Sequence, residues 1–122
     1  MPKLKVLLLA VALIFGGPQS AVAHAELVKS FPVANSTLTK APKYVQLEFG
    51  EAITNLKSKN ANSIVILDSK ATKIATSKVV IKKAIARVEF FGMLKPGKYT
   101  VKYRIVSEDG HVLNAQFKFT LS

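Results

Sequence analysis

Four residues of this 122-residue chain have side chains whose types and spacing could bind a metal ion: His24, Glu51, Asp109 and His111. The two histidines are the only ones in the sequence, and there is no cysteine. The lack of cysteine excludes a disulfide framework, a thiolate nucleophile and a thiolate zinc or iron–sulfur site. Asp109 and His111 are separated only by Gly110, which permits a tight turn, and in an extended segment they lie on the same side.

Residues 1–23 predict an export signal, which would make His24 the first residue of the mature protein. Two lysines precede an apolar run at 6–15. This run is too short to cross a bilayer, because a span needs roughly 20 residues. Alanines occupy the two positions that a signal peptidase reads. Cleavage after Ala25 and retention of the segment as an N-terminal anchor are the alternatives.

We expect residues 24–122 to form one soluble domain in an exported compartment, with no membrane insertion after signal removal. The length suits a single small domain, and no later apolar stretch is long enough for a membrane helix. The net charge is +11, from 18 Lys and Arg against 7 Asp and Glu. A charge of this size predicts attraction to polyanions and says little about the fold.

A histidine at the N-terminus provides two nitrogen donors that the precursor lacks. The free α-amine of His24 has an ordinary pKa of about 7.7–8, so it can lose its proton to a metal near neutrality and close a chelate ring with its own imidazole. With Asp109 and His111, the site offers three nitrogens and one oxygen. Tetragonal donation of this kind suits Cu(II), which heads the stability order of the divalent first-row ions.

Each of these residues also has an ordinary structural interpretation. Asp-Gly is one of the commonest turn dipeptides, and a histidine beside a turn is usually exposed. Glu51 follows a predicted strand, where a solvated carboxylate is common. The metal hypothesis therefore depends on the combination, in which one histidine begins the mature chain and the other belongs to an Asp-x-His motif.

Alternating apolar and polar residues predict an all-β fold, an antiparallel sandwich in which function lies at a surface or a loop end. Val45, Leu47 and Phe49 should face the core together. The loop 54–62 is polar and basic, and its composition is compatible with one helical turn. Turn signals at 68–69, 95–97 and 109–110 separate several strands. The predicted strands are 43–49, 63–67, 77–81, 86–91, 98–105 and 116–121.

Several segments, taken in order, resemble the CopC family of periplasmic copper-binding proteins across essentially all of 24–122. The resemblance implies a Greek-key β-sandwich or barrel, cupredoxin-like or immunoglobulin-like. The order and the spacing of the matching segments along the chain also resemble those of the family. They are His24-Ala25, Ser30 to Ser36, Ala41-Pro42, Leu47 to Glu51, Leu94 to Tyr99 and Val106 to His111.

The resemblance implies that His24, Asp109 and His111 are Cu(II) ligands, and that Glu51 either accepts a hydrogen bond from the amine or binds the metal weakly. Family members commonly have a proline after the site histidine and a glycine soon afterwards, where this chain has Val112 and Asn114-Ala115. These differences affect the stiffness of the loop and leave the donors unchanged.

The resemblance also implies a separate membrane copper transporter of the CopD type as partner, for a monomer active in copper resistance, storage or delivery. Some relatives carry a methionine-rich Cu(I) site. This mature chain has only Met93, expected in the core or a loop, and one thioether cannot form a multi-sulfur site. We therefore expect a protein that binds Cu(II) alone.

The residues are also compatible with two other functions. Copper monooxygenases also chelate copper through an N-terminal histidine, but Asp109 would occupy a position that oxygen chemistry requires, so we expect no enzymatic activity. The second alternative is a basic module for an anionic surface or partner. Nucleic acid is not expected, because no aromatics lie between the lysines for base stacking. Those lysines are at positions 57, 59, 70, 73, 78, 82 and 83.

Overall fold

The computed structural model describes residues 26–55 and 61–122, and in these ranges the regular elements are all β-strands. The predicted signal at 1–23 and the first candidate ligand, His24, lie outside the described residues. In the described part of the chain no helix is long and apolar enough to cross a membrane. The eight strands are β1 (Leu27–Phe31), β2 (Thr37–Leu38), β3 (Tyr44–Phe49), β4 (Ser63–Leu67), β5 (Val80–Lys82), β6 (Ile85–Glu89), β7 (Gly97–Val106) and β8 (Val112–Leu121).

The strands form two four-stranded sheets with the orders β1-β3-β6-β5 and β2-β8-β7-β4. The chain passes from one sheet to the other at every connection except β5–β6 and β7–β8, so the two sheets share one core. The predicted all-β sandwich is confirmed. One pairing departs from the antiparallel expectation, because the two-residue strand β2 runs parallel to the end of β8.

The core follows the alternation predicted from the sequence. Val45, Leu47 and Phe49 point inward from β3, while their neighbours in the strand are only partly buried. In β7, alternate residues from Tyr99 to Ile105 are buried, and Lys98, Lys102 and Arg104 are exposed. The fully buried side chains of the core include Phe119, Leu47, Ile66, Ile105, Val45, Val88 and Val101.

Strand boundaries differ from the prediction in central and edge strands alike; the central strand β8, expected at 116–121, already begins at Val112. The predicted strand 63–67 is confirmed in full, but the strand expected at 77–81 is observed at Val80–Lys82. Strands β1 and β2 were not predicted, since β1 has no clear apolar alternation and β2 has only two residues. Of the loop 54–62, residues 54–55 and 61–62 are described and are not helical.

The β7–β8 hairpin is the longest element of the fold, with ten residue pairs from Gly97↔Leu121 to Val106↔Val112. The turn between the two strands therefore lies at one end of the sandwich. The end of β3 and the start of β1 reach the same end, because Leu27 pairs with Phe49 and Ile53 forms a bridge with Ser107. This end contains the described candidate ligands.

Candidate metal centre

The β7–β8 turn is closed by its own backbone. The Ser107 N–H donates to the carbonyl oxygen of His111 at 2.9 Å, and the Gly110 N–H donates to the carbonyl oxygen of Ser107 at 2.9 Å. Gly110 has a φ of 93°, in the region that side chains rarely adopt, which explains a glycine here. The two bonds fix the backbone on both sides of Asp109.

The carboxylate of Asp109 binds both its neighbours in the turn. One oxygen, Oδ2, lies 2.9 Å from Nδ1 of His111. The other oxygen, Oδ1, accepts hydrogen bonds from the Ser107 hydroxyl and from the His111 backbone N–H, the latter at 3.2 Å. These bonds, that from Ser107 foremost, lower the pKa of Asp109 to about 2. The carboxylate is therefore ionised at neutral pH.

The contact with Asp109 also orients the His111 imidazole. When Nδ1 carries the proton and donates it to the carboxylate, the neutral ring has its lone pair on Nε2. An imidazole oriented by a carboxylate in this way is common among metal-binding histidines. The side chains of His111 and Asp109 are 60% and 47% exposed, so both lie at the surface. The pair therefore places an imidazole and a carboxylate together at the surface.

A second segment, residues 50–54, lies beside this turn. The Glu108 N–H donates to the carbonyl oxygen of Ala52 at 3.1 Å, and the Thr54 N–H donates to that of Val106 at 2.8 Å. Glu51, next to Ala52, is thereby brought to the same end of the sandwich. Within 26–55 and 61–122, however, no three His, Asp or Glu side chains form a group able to hold a metal ion. The structure thus brings Asp109 and His111 into contact and leaves Glu51 on the neighbouring segment.

Glu26, the first described residue of the chain, is hydrogen-bonded to the segment 50–54. The Gly50 N–H donates to the carbonyl oxygen of Glu26 at 2.9 Å. His24 is two residues before Glu26 in the sequence, and two extended residues reach about 7 Å. The described start of the chain is thus at the end of the sandwich that contains Asp109 and His111.

Two buried polar residues support the site and were missed in the sequence. Ser107 is completely buried, and its hydroxyl donates to Asp109. Asn62 donates to the carbonyl oxygen of Thr54 at 2.8 Å and accepts from the Val106 N–H at 2.8 Å. Ser107 continues the inward-facing positions of β7, where a polar side chain requires a partner. A serine that continues the inward-facing positions of β7 was therefore the sequence signal that could have identified Ser107.

Met93 is a loop residue at the opposite end of the sandwich. It follows the end of β6 and is 87% exposed. Of the two positions expected for this thioether, the loop is therefore confirmed and the core is wrong. The described candidate donors lie at the other end, so Met93 does not contribute to this site.

The chain belongs to the CopC family. Residues 27–122, which include all eight strands, match the CopC domain. The sequence resemblance is thereby confirmed, along with the β-sandwich fold it implied.

Three relatives illustrate the similarity. The copper transport protein CutJ of Bacillus subtilis is 32% identical over 107 residues, which are 85% of this chain but only 19% of CutJ. The crystal structure of CopC from Methylosinus trichosporium OB3b superimposes with a TM-score of 0.70 and 30% identity, covering 81% of this chain and 94% of that one. PcoC, a methionine-rich copper resistance protein from Escherichia coli, gives a TM-score of 0.68 and 29% identity, covering 82% and 100%.

Removal of the Ser107 hydroxyl should raise the pKa of Asp109. In the metal-free protein we expect Asp109 to titrate at about 2, and in Ser107→Ala closer to the ordinary 3.8, because the leading hydrogen bond to the ionised form is lost. Since folding lowers this pKa, its contribution to stability is present above 3.8 and is lost as the pH falls towards 2. Carboxyl carbon NMR across this range measures the shift. Equal titration curves in the two proteins would contradict the role of Ser107.

Proposed function

We propose that this protein is a periplasmic copper-binding protein that holds one Cu(II) ion at the end of the sandwich formed by the β7–β8 turn. Its ligands are the α-amine and imidazole of His24, the imidazole of His111 and the carboxylate of Asp109. Glu51 lies nearby and acts on the amine or binds the metal weakly. The protein is produced with an export signal at 1–23, and cleavage creates the N-terminal donor pair.

One observation carries this proposal. The turn that joins Asp109 to His111 lies at the end of the sandwich where Glu26 is bonded to Gly50. The backbone thus brings the beginning of the described chain towards the only described histidine, although they are far apart in the sequence. A site built from His24 and His111 requires this arrangement.

The donor set supports Cu(II) over Cu(I). Imidazole, amine and carboxylate suit Cu(II), whereas Cu(I) is selected by soft thiolate and thioether ligands. PcoC is described as methionine-rich. Beyond the predicted signal, this chain has a single methionine, Met93, at the opposite end of the sandwich. The proposed site therefore has no soft ligand.

The proposed role is binding without catalysis, in copper resistance, storage or delivery. CutJ is named a copper transport protein, and PcoC is named a copper resistance protein. The proposed recipient is a membrane copper transporter of the CopD type, and the proposed state of the protein is a monomer. Asp109, an anionic oxygen ligand, stabilises the oxidised ion and opposes the reduction that oxygen activation needs.

Copper titration with electron paramagnetic resonance tests the proposed function. The chain beginning at His24 should bind one equivalent of Cu(II) and give a tetragonal spectrum with nitrogen and oxygen donors. Zn(II) and Ni(II) should compete less well, following the stability order of the divalent ions. Tight uptake of Cu(I), a spectrum with sulfur ligation, or two Cu(II) ions bound with similar affinity would contradict the proposal.

A further inference from the structure

The charged side chains on the outer face of the β2-β8-β7-β4 sheet are all positive. Lys98, Lys102 and Arg104 project from β7 and are exposed. Lys118 projects from β8 on the same face, because it pairs with Thr100, between Lys98 and Lys102 along the neighbouring strand. Cross-strand diagonal neighbours are about 7–8 Å apart, so the three lysines form one cluster.

No acidic residue lies in this sheet. All seven Asp and Glu residues of the chain are outside β2, β4, β7 and β8. The face therefore carries four cations that no carboxylate within its strands neutralises. We call it the basic face, defined by Lys98, Lys102, Arg104 and Lys118.

The outer face of the other sheet carries both signs of charge, with Lys82 and two further cations against two carboxylates on its strands. Lys29 of β1 pairs with Glu48 of β3 in the sheet register. Arg87 of β6 forms an ion pair with Glu89 at 3.2 Å and stacks on the Tyr44 ring, 3.8 Å from its centroid. The net positive charge of the strands is therefore larger on the basic face, where no carboxylate offsets the cations.

The edge strand β4 adds a partly apolar, shallow surface beside the cations of the basic face. Val65 and Leu67 of β4 are half-buried and lie beside Lys102 and Thr100 in the register. Together with Arg104 and Gln116 they line a shallow depression. The aromatic residues of β7 and β8, Tyr99, Tyr103, Phe117 and Phe119, alternate with the lysines and pack towards the core, so they offer no platform for stacking bases.

We propose that the basic face docks on the surface of an anionic phospholipid bilayer. A sheet face with clustered lysines beside half-buried aliphatic side chains matches a plane of negative headgroups, and each basic residue near such a surface strengthens binding. Nucleic acid is disfavoured by the inward-facing aromatics. The proposed docking is electrostatic and requires no insertion, because Val65 and Leu67 are only partly exposed.

Docking in this way leaves the candidate metal centre accessible. Strands β7 and β8 lie in the plane of the basic face, and the Asp109–His111 turn is at their end. The turn therefore points along the bilayer surface and remains open to a membrane-bound partner. The docking proposal does not depend on which ion the site holds.

Vesicle co-sedimentation tests the basic face directly. The chain beginning at His24 contains both sheets and the whole described core, so it is suitable for the measurement. It should bind phosphatidylglycerol-containing vesicles at low salt, bind less at about 0.15 M salt, and not bind vesicles of phosphatidylcholine alone. The combined Lys98→Gln, Lys102→Gln and Lys118→Gln variant should bind at least about tenfold more weakly.

A control variant separates the face from the total charge. Lys29→Gln, Lys43→Gln and Lys82→Gln together remove the same number of exposed lysines from elsewhere on the sandwich. This variant should keep its vesicle affinity within about threefold of the parent protein. Equal losses in the two variants would overturn the proposal, as would binding to single-stranded DNA without binding to anionic vesicles. Equal affinity for neutral vesicles would also overturn it.

Discussion

Adding a single glycine before His24, at the start of the mature chain, is expected to weaken Cu(II) binding by several orders of magnitude. The α-amine then belongs to the added residue, and the nitrogen of His24 becomes an amide that gives up its proton to a metal only at a cost. His111 and Asp109 remain in contact, so the altered protein keeps two of the four proposed donors. Titration of both proteins against a Cu(II) chelator measures the difference.

The glycine extension has a clear control in the metal-free proteins. The described core begins after Glu26, and Gly50 bonds the Glu26 carbonyl through the backbone. The two forms should therefore melt at the same temperature without copper. Equal copper affinities would show that the amine is not a ligand, and the site would then be an ordinary two-histidine surface site.

The second large effect is expected in the turn, where His111→Ala and Asp109→Ala should each weaken Cu(II) binding by more than about 100-fold, beyond the 10- to 100-fold typical of groups that only support a ligand. Asp109→Asn distinguishes the two roles of the carboxylate. An amide oxygen still accepts the proton of His111 Nδ1, but the anionic donor is lost. Because we propose direct ligation, Asp109→Asn should be as damaging as Asp109→Ala.

Glu51→Gln and Glu108→Gln provide graded controls for the turn variants. Glu51 lies on the neighbouring segment, and its loss should cost no more than about 10- to 100-fold. Glu108 is exposed in the same turn and contacts Ala52 through its backbone, so its side chain should be dispensable. A Glu51→Gln variant as weak as His111→Ala would make Glu51 a ligand. Near-parental affinity of Asp109→Asn would make Asp109 an orienting group for the imidazole.

The sequence predicted the parts of the fold that obey alternation. Val45, Leu47 and Phe49 were expected on one face and are buried, because a half-buried strand requires this period. The same reasoning could not find β2, which has two residues and pairs in parallel with the end of β8. Such a strand is determined by the chain it meets, and a local pattern does not contain that information.

The sequence identified candidate residues of the site, but it did not predict most of the contacts that hold them in place. Residue types and the Asp-x-His spacing indicated Asp109 and His111, and in the structure their side chains are in contact. The bonds of Asn62 to Thr54 and Val106 could not be predicted, because they join segments 8 and 44 residues apart. Contacts of this kind depend on how the sheets pack, which follows from the whole sequence.

The short connection between β7 and β8 predicts that the two halves of the proposed site form at different stages of folding. Asp109 and His111 belong to a hairpin whose strands are adjacent in the chain, so their contact requires closure of only a short loop. The bond between Glu26 and Gly50 and the contact of Ala52 with Glu108 join distant segments, and contacts of long sequence separation form slowly. The nascent hairpin would therefore present a weak chelator. The full donor set would exist only when both sheets have closed, and tight copper capture would mark the completely folded chain.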